Sequence, residues 1–233
     1  MHPWPAALLF DFDGVIVNSE PLHYLAFHEV LADHGIEISE REYYRDLIGF
    51  DDAGFFRHVY KTRRKPLPPR LMLELMTRKG ERTMDLIRRQ NYQALPGVEE
   101  FVRGLWRHYP LAICSGARRD EIEAMLEGVN LRDCFPTIVA AEDVPVGKPD
   151  PRGYLLAAAL VSKRINHTLK PADCLVIEDA ETVAKAVHAA GFRVLAVTTC
   201  HKPEDFPTAD YIVNSLRPAE VKKKIPELKL AAI

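Results

Sequence analysis

A chain of 233 residues, 47% of them hydrophobic, has material for one large domain or two modest ones. Its 31 basic and 33 acidic side chains leave a net charge of −2, without the basic excess of a dedicated nucleic-acid binder. Cys114, Cys134, Cys174 and Cys200 are scattered without a C-x-x-C pair, so neither a disulfide framework nor a zinc site is expected.

The amino end, MHPWPAALLF, lacks the charged n-region and long apolar run of a signal peptide. The longest apolar run elsewhere, LLAAALV at 155–161, is far short of the roughly 20 residues that span a bilayer. A soluble, cytoplasmic, monomeric protein with no membrane or nucleic-acid partner is expected.

The first element is ALLFDFD, an apolar strand that runs into Asp11 and Asp13 and leaves through Gly14. Alternate residues of a strand share a side, so both carboxylates address one place while Phe12 packs the other way. Carboxylates at that spacing repel each other, and a cation or counter-charge is needed beside them. Gly14 allows a sharp turn and a close backbone approach.

Residues 19 to about 90 read as helix. Ser19 can cap a segment with Pro21 in its first turn and Gly35 at its end. Ser39 and Glu42 form a capping box before YYRDLI. LPPRLMLELMTRKGERTMDLIRRQ continues the helical period. Charge divides unevenly here: residues 57–89 hold 11 Lys or Arg against three acids, residues 17–56 nine acids against two bases. Solvated helix faces with one basic loop, KTRRKPLPPR, account for this; attraction of an anionic substrate is the sharper alternative.

From residue 94 short apolar runs alternate with helical segments. LAIC (111–114), TIVAA (137–141), CLVIE (174–178), RVLAV (193–197) and YIV (211–213) read as strands, and 97–108, 118–128, 151–162 and 180–190 as helices. Continuous apolar strands separated by helices predict a Rossmann-like parallel α/β sheet covered on both faces. The helical stretch is then an insertion: a core of 1–17 and 92–233, and a helical domain of 18–91.

In such a sheet the ligand crevice lies at the carboxyl ends of the strands. Three more strand ends bring chemistry there. LAIC ends in Ser115-Gly116 before a helix, a place suited to an anion or to a plain helix cap. TIVAA leads to DVPVGKPDP, where Lys148 is a point charge suited to phosphate, or a solvated loop residue. CLVI ends in Glu178-Asp179, a second acidic pair, which could also serve a helix start. Together they bring Asp/Asp, Ser, Lys and Glu/Asp to one edge. Magnesium suits that set, since it takes a few carboxylates and keeps waters and phosphate oxygens.

The ordered motifs DFDG, Ser115, GKP with Lys148, and IED with Asp179 resemble the haloacid dehalogenase superfamily. DGVIVNSEPLH, GKPDPRGYLLAAA and the helical insertion after the first motif resemble its subgroup with an α-helical cap, containing β-phosphoglucomutase and phosphoglycolate-type phosphatases. The resemblance implies Asp11 as nucleophile and Asp13 as general acid/base. It implies magnesium held by Asp11, the Asp13 carbonyl and Asp179 with Glu178 assisting, and a phosphoryl group gripped by Ser115, Gly116 and Lys148. His23 and Lys79 fit cap-side substrate positions. The cap is expected to set specificity and to close over the site about hinges at 15–20 and 90–96. Asn18 stands where aspartate is frequent, and Ala180 and Val183 replace an S-x-x-G pattern.

A magnesium-dependent phosphatase of a small, sugar-like phosphate ester is the leading expectation. A sugar phosphomutase is the nearest alternative, disfavoured because Asp51 and Asp52 stand where it places an arginine. The lack of lysine in 42–56 opposes a phosphonate hydrolase, and Asp13 opposes a dehalogenase. A phospho-accepting receiver is about half this length and has no insertion. A catalytically dead interaction protein is opposed by the intact aspartates.

Overall fold

The computed structural model describes residues 4–47, 50, 52–89, 92–199 and 201–231. Asp51, Cys200, and Gln90 and Asn91 of the expected second hinge lie outside the described residues. The chain divides into two compact units, residues 1–18 with 93–233, and residues 19–92.

The first unit is built on β1 (Ala7–Phe10), β2 (Leu111–Cys114), β3 (Thr137–Val139), β4 (Cys174–Glu178), β5 (Arg193–Val197) and β6 (Tyr211–Val213). They form one sheet in the order β3-β2-β1-β4-β5-β6, every pairing parallel. The α/β parallel-sheet expectation holds, and its reason is visible in the runs themselves. ALLF, LAIC and CLVIE are buried at every position because helices cover both faces. Leu9, Ala112, Cys114 and Val176 pack with Tyr154, Ala157 and Val161 of the helix Arg152–Ile165 on one face. On the other, Phe10 meets Phe101 and Phe135 edge-on, with centroids 6.3 and 5.5 Å apart. Each such fully buried aromatic contributes about 1.5–3 kcal/mol.

Two strands differ from the sequence reading. TIVAA stops at Val139, because Asp143 Oδ2 accepts the Ala140 N–H at 2.7 Å and turns the chain into a 3₁₀ turn at Ala141–Asp143. The amino-terminal strand ends at Phe10, leaving Asp11 and Asp13 in the loop beyond it.

The second unit carries helices Glu20–Ala32, Asp52–Thr62 and Pro69–Arg88, with a short turn Glu40–Glu42 and a π-helical turn Tyr43–Leu47. No strand occurs among its described residues. Its core centres on Phe27, which stacks on Phe55 at 3.6 Å, with Val30, Leu31, Phe56, Val59 and Leu75 around it. Ser19 takes the N-cap position of Glu20–Ala32 with a helical backbone, φ −89° and ψ −13°, not the extended one of a capping residue. Only half of the expected capping box forms. The Glu42 N–H donates to Ser39 Oγ at 3.1 Å, while the Glu42 carboxylate turns to Arg63 at 2.7 Å. No helix of the described residues is long and apolar enough to cross a membrane.

Candidate active site

The register of the sheet assembles the site. Phe10 pairs with Ile113 on one side and Ile177 on the other, so the next residues, Asp11, Cys114 and Glu178, are level. The Asp11 N–H continues the ladder to the Ile177 carbonyl at 2.9 Å. β1 is the switch point, with β2 and β3 on one side and β4 to β6 on the other, where parallel sheets open a crevice.

Lys148 reaches into that crevice from the loop after β3. Its Nζ donates to Asp11 Oδ1 at 2.6 Å and to Glu178 Oε1 at 2.7 Å, and lies 3.1 Å from the Tyr154 hydroxyl. Tyr154 in turn donates to Glu178 Oε1 at 2.8 Å, and its ring centroid is 4.9 Å from the ammonium. The other Glu178 oxygen accepts the N–H groups of Asp179 and Ala180, both at 3.1 Å. Glu178 is fully buried and saturated with donors, which makes it an anchor for Lys148.

Ser115 leaves β2 with its N–H bonded to the Val139 carbonyl at 2.9 Å. Its Oγ accepts the Ala117 N–H at 3.0 Å and lies 3.4 Å from Asp13 Oδ2, so the hydroxyl proton is directed into the site. Arg118, not Ser115, holds the N-cap position of the following helix, Arg119–Gly128. A methyl group added at Gly116 would meet no atom within 4 Å, so any demand for glycine there comes from a ligand.

Gly14 is different. Its φ is +77°, and a Cβ there would lie 2.0 Å from Asp179 Oδ2. The Thr199 hydroxyl donates to the Gly14 carbonyl at 2.7 Å and fixes the turn. Gly14→Ala should therefore displace the Asp179 carboxylate and strain the backbone by about 1–2 kcal/mol. The expected result is a lower melting temperature together with a large loss of turnover. Wild-type kinetics in this variant would show that the close approach is dispensable.

Carboxylate oxygens of Asp11, Glu178 and Asp179 lie within 4.8 Å of one another, those of Glu178 already taken by its four donors. Burial raises Asp11 well above the usual carboxylate range; Glu178, Asp179 and Asp13 add to this and Lys148 opposes it. Asp179 is pushed up to about 7 by burial and then by Glu178. Burial disfavours the Lys148 ammonium, yet Asp11 and Glu178 outweigh it and raise its pKa. One ammonium thus serves too many carboxylates for all of them to ionise. This hard-oxygen donor set fits a divalent cation such as magnesium.

The shifts have a sign that can be tested. Between the ordinary aspartate value and about 7 the folded protein holds a proton on Asp179 that the unfolded chain has lost. With divalent ions chelated, stability should fall as pH rises through that window, and added magnesium should restore it mainly at the alkaline end. Denaturant titrations at several pH values check this; chelated stability that rises with pH across the window would contradict it.

Asp11, Asp13, Ser115, Lys148, Glu178 and Asp179, expected at one edge, are brought together there. Ala180 stands at the N-cap of the helix Glu181–Ala189, and Val183 packs into the core with Ala184 and Val187. Tyr154 and Thr199 were not anticipated. Tyr154 reads as a core aromatic in an apolar helix, and nothing in GYLLAAA signals its hydroxyl.

His23 and Lys79 meet inside the helical unit. Lys79, 3% exposed, lies in the buried stripe Leu75-Lys79-Thr83, with Nζ 2.8 Å from Asp52 Oδ1 and 3.1 Å from His23 Nδ1. Burial, then Lys79, lowers the His23 pKa to about 3, so the imidazole is neutral and accepts from the ammonium.

Comparison with known proteins agrees with this geometry. The family model described as haloacid dehalogenase-like hydrolase matches residues 8–197. The protein CbbY of Rhodobacter capsulatus is 30% identical over 232 residues, 95% of this chain and 98% of that one. Hexitol phosphatase B of Escherichia coli is 30% identical over 214 residues, covering 90% of this chain and 92% of that protein. The crystal structure of CbbY from Rhodobacter sphaeroides in complex with phosphate shares the fold. Its TM-score is 0.77 at 24% identity, over 91% of this chain and 95% of that one. With the motif residues gathered at the edge of a parallel sheet and the match spanning both units, this chain belongs to the haloacid dehalogenase-like hydrolases.

Proposed function

We propose that the protein is a magnesium-dependent phosphatase that hydrolyses a small phosphorylated metabolite of the sugar or sugar-alcohol class. The observation that carries this reading is the Lys148 ammonium, bonded at 2.6 Å to Asp11 and at 2.7 Å to Glu178. It orients one aspartate at the switch point and places a positive charge there; its longest hydrogen bond, 3.1 Å to the Tyr154 hydroxyl, is the one a phosphoryl oxygen would replace. The substrate class is supported by relatives named fructose-1-phosphate phosphatase and hexitol phosphatase B.

In the proposed reaction the Asp11 carboxylate attacks phosphorus, and the bond to the ester oxygen breaks. Asp13 gives that oxygen a proton, and the alcohol leaves an aspartyl phosphate behind. Asp13, now a base, takes a proton from water, which attacks phosphorus and releases inorganic phosphate and free Asp11. Ser115 and Lys148 donate to the non-bridging oxygens throughout. Asp11 and Asp179, with the Asp13 carbonyl and Glu178 beside them, would hold the magnesium, which supplies charge neutralisation at the phosphoryl group. The helical unit is assigned the cap role, with His23 and Lys79 as candidate contacts to the leaving group.

The test is hydrolysis of p-nitrophenyl phosphate and a panel of sugar and sugar-alcohol phosphates, in chelator and in magnesium. Turnover restored by magnesium, with a sugar or sugar-alcohol phosphate preferred, is expected. Full activity in chelator, or no turnover of any phosphate ester, would contradict the reading.

A further inference from the structure

Of the 11 Lys or Arg in residues 57–89, the proposed reaction uses only Lys79. Internal partners account for several others. Arg63 donates to both oxygens of Glu42 at 2.7 and 2.8 Å, Arg78 pairs with Asp33, and Arg82 pairs with Glu29. Lys65 donates to the carbonyls of His34 and Gly35, at 3.2 and 3.3 Å, past the end of the helix Glu20–Ala32. The side chains of Arg57 and Lys61 make no hydrogen bond or ion pair among the described residues. They stand one turn apart on the helix Asp52–Thr62, where like charges repel.

These two cations and Lys65 line a cavity of about 440 Å³ that lies wholly within the helical unit. That volume falls in the range of roughly 300–1,000 Å³ typical of small-molecule sites. Tyr60, Leu67 and Met72 give it an apolar surface. The Tyr60 ring is buried, while its hydroxyl, which has no hydrogen-bond partner among the described residues, stays open to solvent. Burial, and then the Glu74 carboxylate, raises its pKa, so it is a donor at neutral pH.

We infer that this cavity binds an organic phosphate with an apolar body, of which a nucleoside monophosphate is the test case. The phosphate would lie between Arg57, Lys61 and the remaining N–H of Lys65, with Tyr60 donating a further hydrogen bond. The apolar body would cover Leu67 and Met72. Cations alone would hold any small anion, and the apolar surface selects one with an organic body. The inference is independent of the reaction assigned to Asp11.

The experiment uses the whole chain in chelator with the fluorescent nucleotide trinitrophenyl-AMP. Saturable binding is expected, displaced by AMP but not by inorganic phosphate at equal concentration. The double variant R57A/K61A, which removes two charge-assisted contacts, should weaken binding by about tenfold or more. Its hydrolysis of p-nitrophenyl phosphate should be unchanged, which also shows that it folds. Ser115→Ala should bind the probe as the parent does. Absence of saturable binding, equal binding by R57A/K61A, loss of binding in Ser115→Ala, or equal displacement by inorganic phosphate would each overturn the inference.

Discussion

Asp11→Asn should lose turnover by on the order of 10⁶-fold with every substrate, the scale reached when a covalent nucleophile is removed. The amide is isosteric, so Lys148 and Glu178 keep their places and the variant should fold. Asp13→Asn should lose less, about 10²- to 10⁴-fold with an alkyl phosphate, since it removes only general acid/base help. With p-nitrophenyl phosphate the leaving group needs little acid assistance, so its first turnover should survive and the second step should stall. A burst of nitrophenol followed by near arrest is the expected trace. Losses of equal size in both variants, for both kinds of substrate, would remove the division of labour between the two aspartates.

Lys148→Ala should cost both activity and stability. The ammonium bridges two carboxylates, and Glu178 is fully buried. Removing one partner of a buried pair leaves charge uncompensated and costs about 3–5 kcal/mol. That cost depends on pH in a fixed direction. Burial and the neighbouring acids already raise the Asp11 pKa, and without Lys148 it rises further. Below its raised value the Asp11 carboxyl is protonated and the deficit is small; above it the folded state must hold an unpaired anion. The variant's deficit against wild type should thus be smallest in acid and grow as pH rises. A deficit independent of pH, read from denaturant midpoints, would show that Lys148 is not the counter-charge. Turnover should fall as well, because Asp11 would carry a proton when it needs to attack.

The strands were legible because this sheet is buried on both faces. LAIC, CLVIE, RVLAV and YIV carry no polar alternation, and each forms a strand over the same residues. The site was legible because its residues sit where apolar runs stop, and parallel register brings those stops to one edge. Contacts between distant elements were not legible. The Tyr154 hydroxyl and the Thr199–Gly14 bond depend on how a helix and a loop pack on the sheet. Glu42 belongs to a capping box by local rules, yet Arg63, 21 residues away, claims its carboxylate. Lys79 breaks an apolar stripe in the sequence, and only the fold supplies Asp52 and His23 as the reason it can be buried.

The central assignment is tested most directly by finding the covalent phosphate. Asp13→Asn, mixed with p-nitrophenyl phosphate and magnesium, quenched in acid and digested, should yield one phosphorylated peptide in stoichiometric amount. Fragmentation should place the added mass on Asp11, and hydroxylamine should release it as expected of an acyl phosphate. Phosphate on any other residue, or nitrophenol release at full rate with no labelled peptide, would contradict the account.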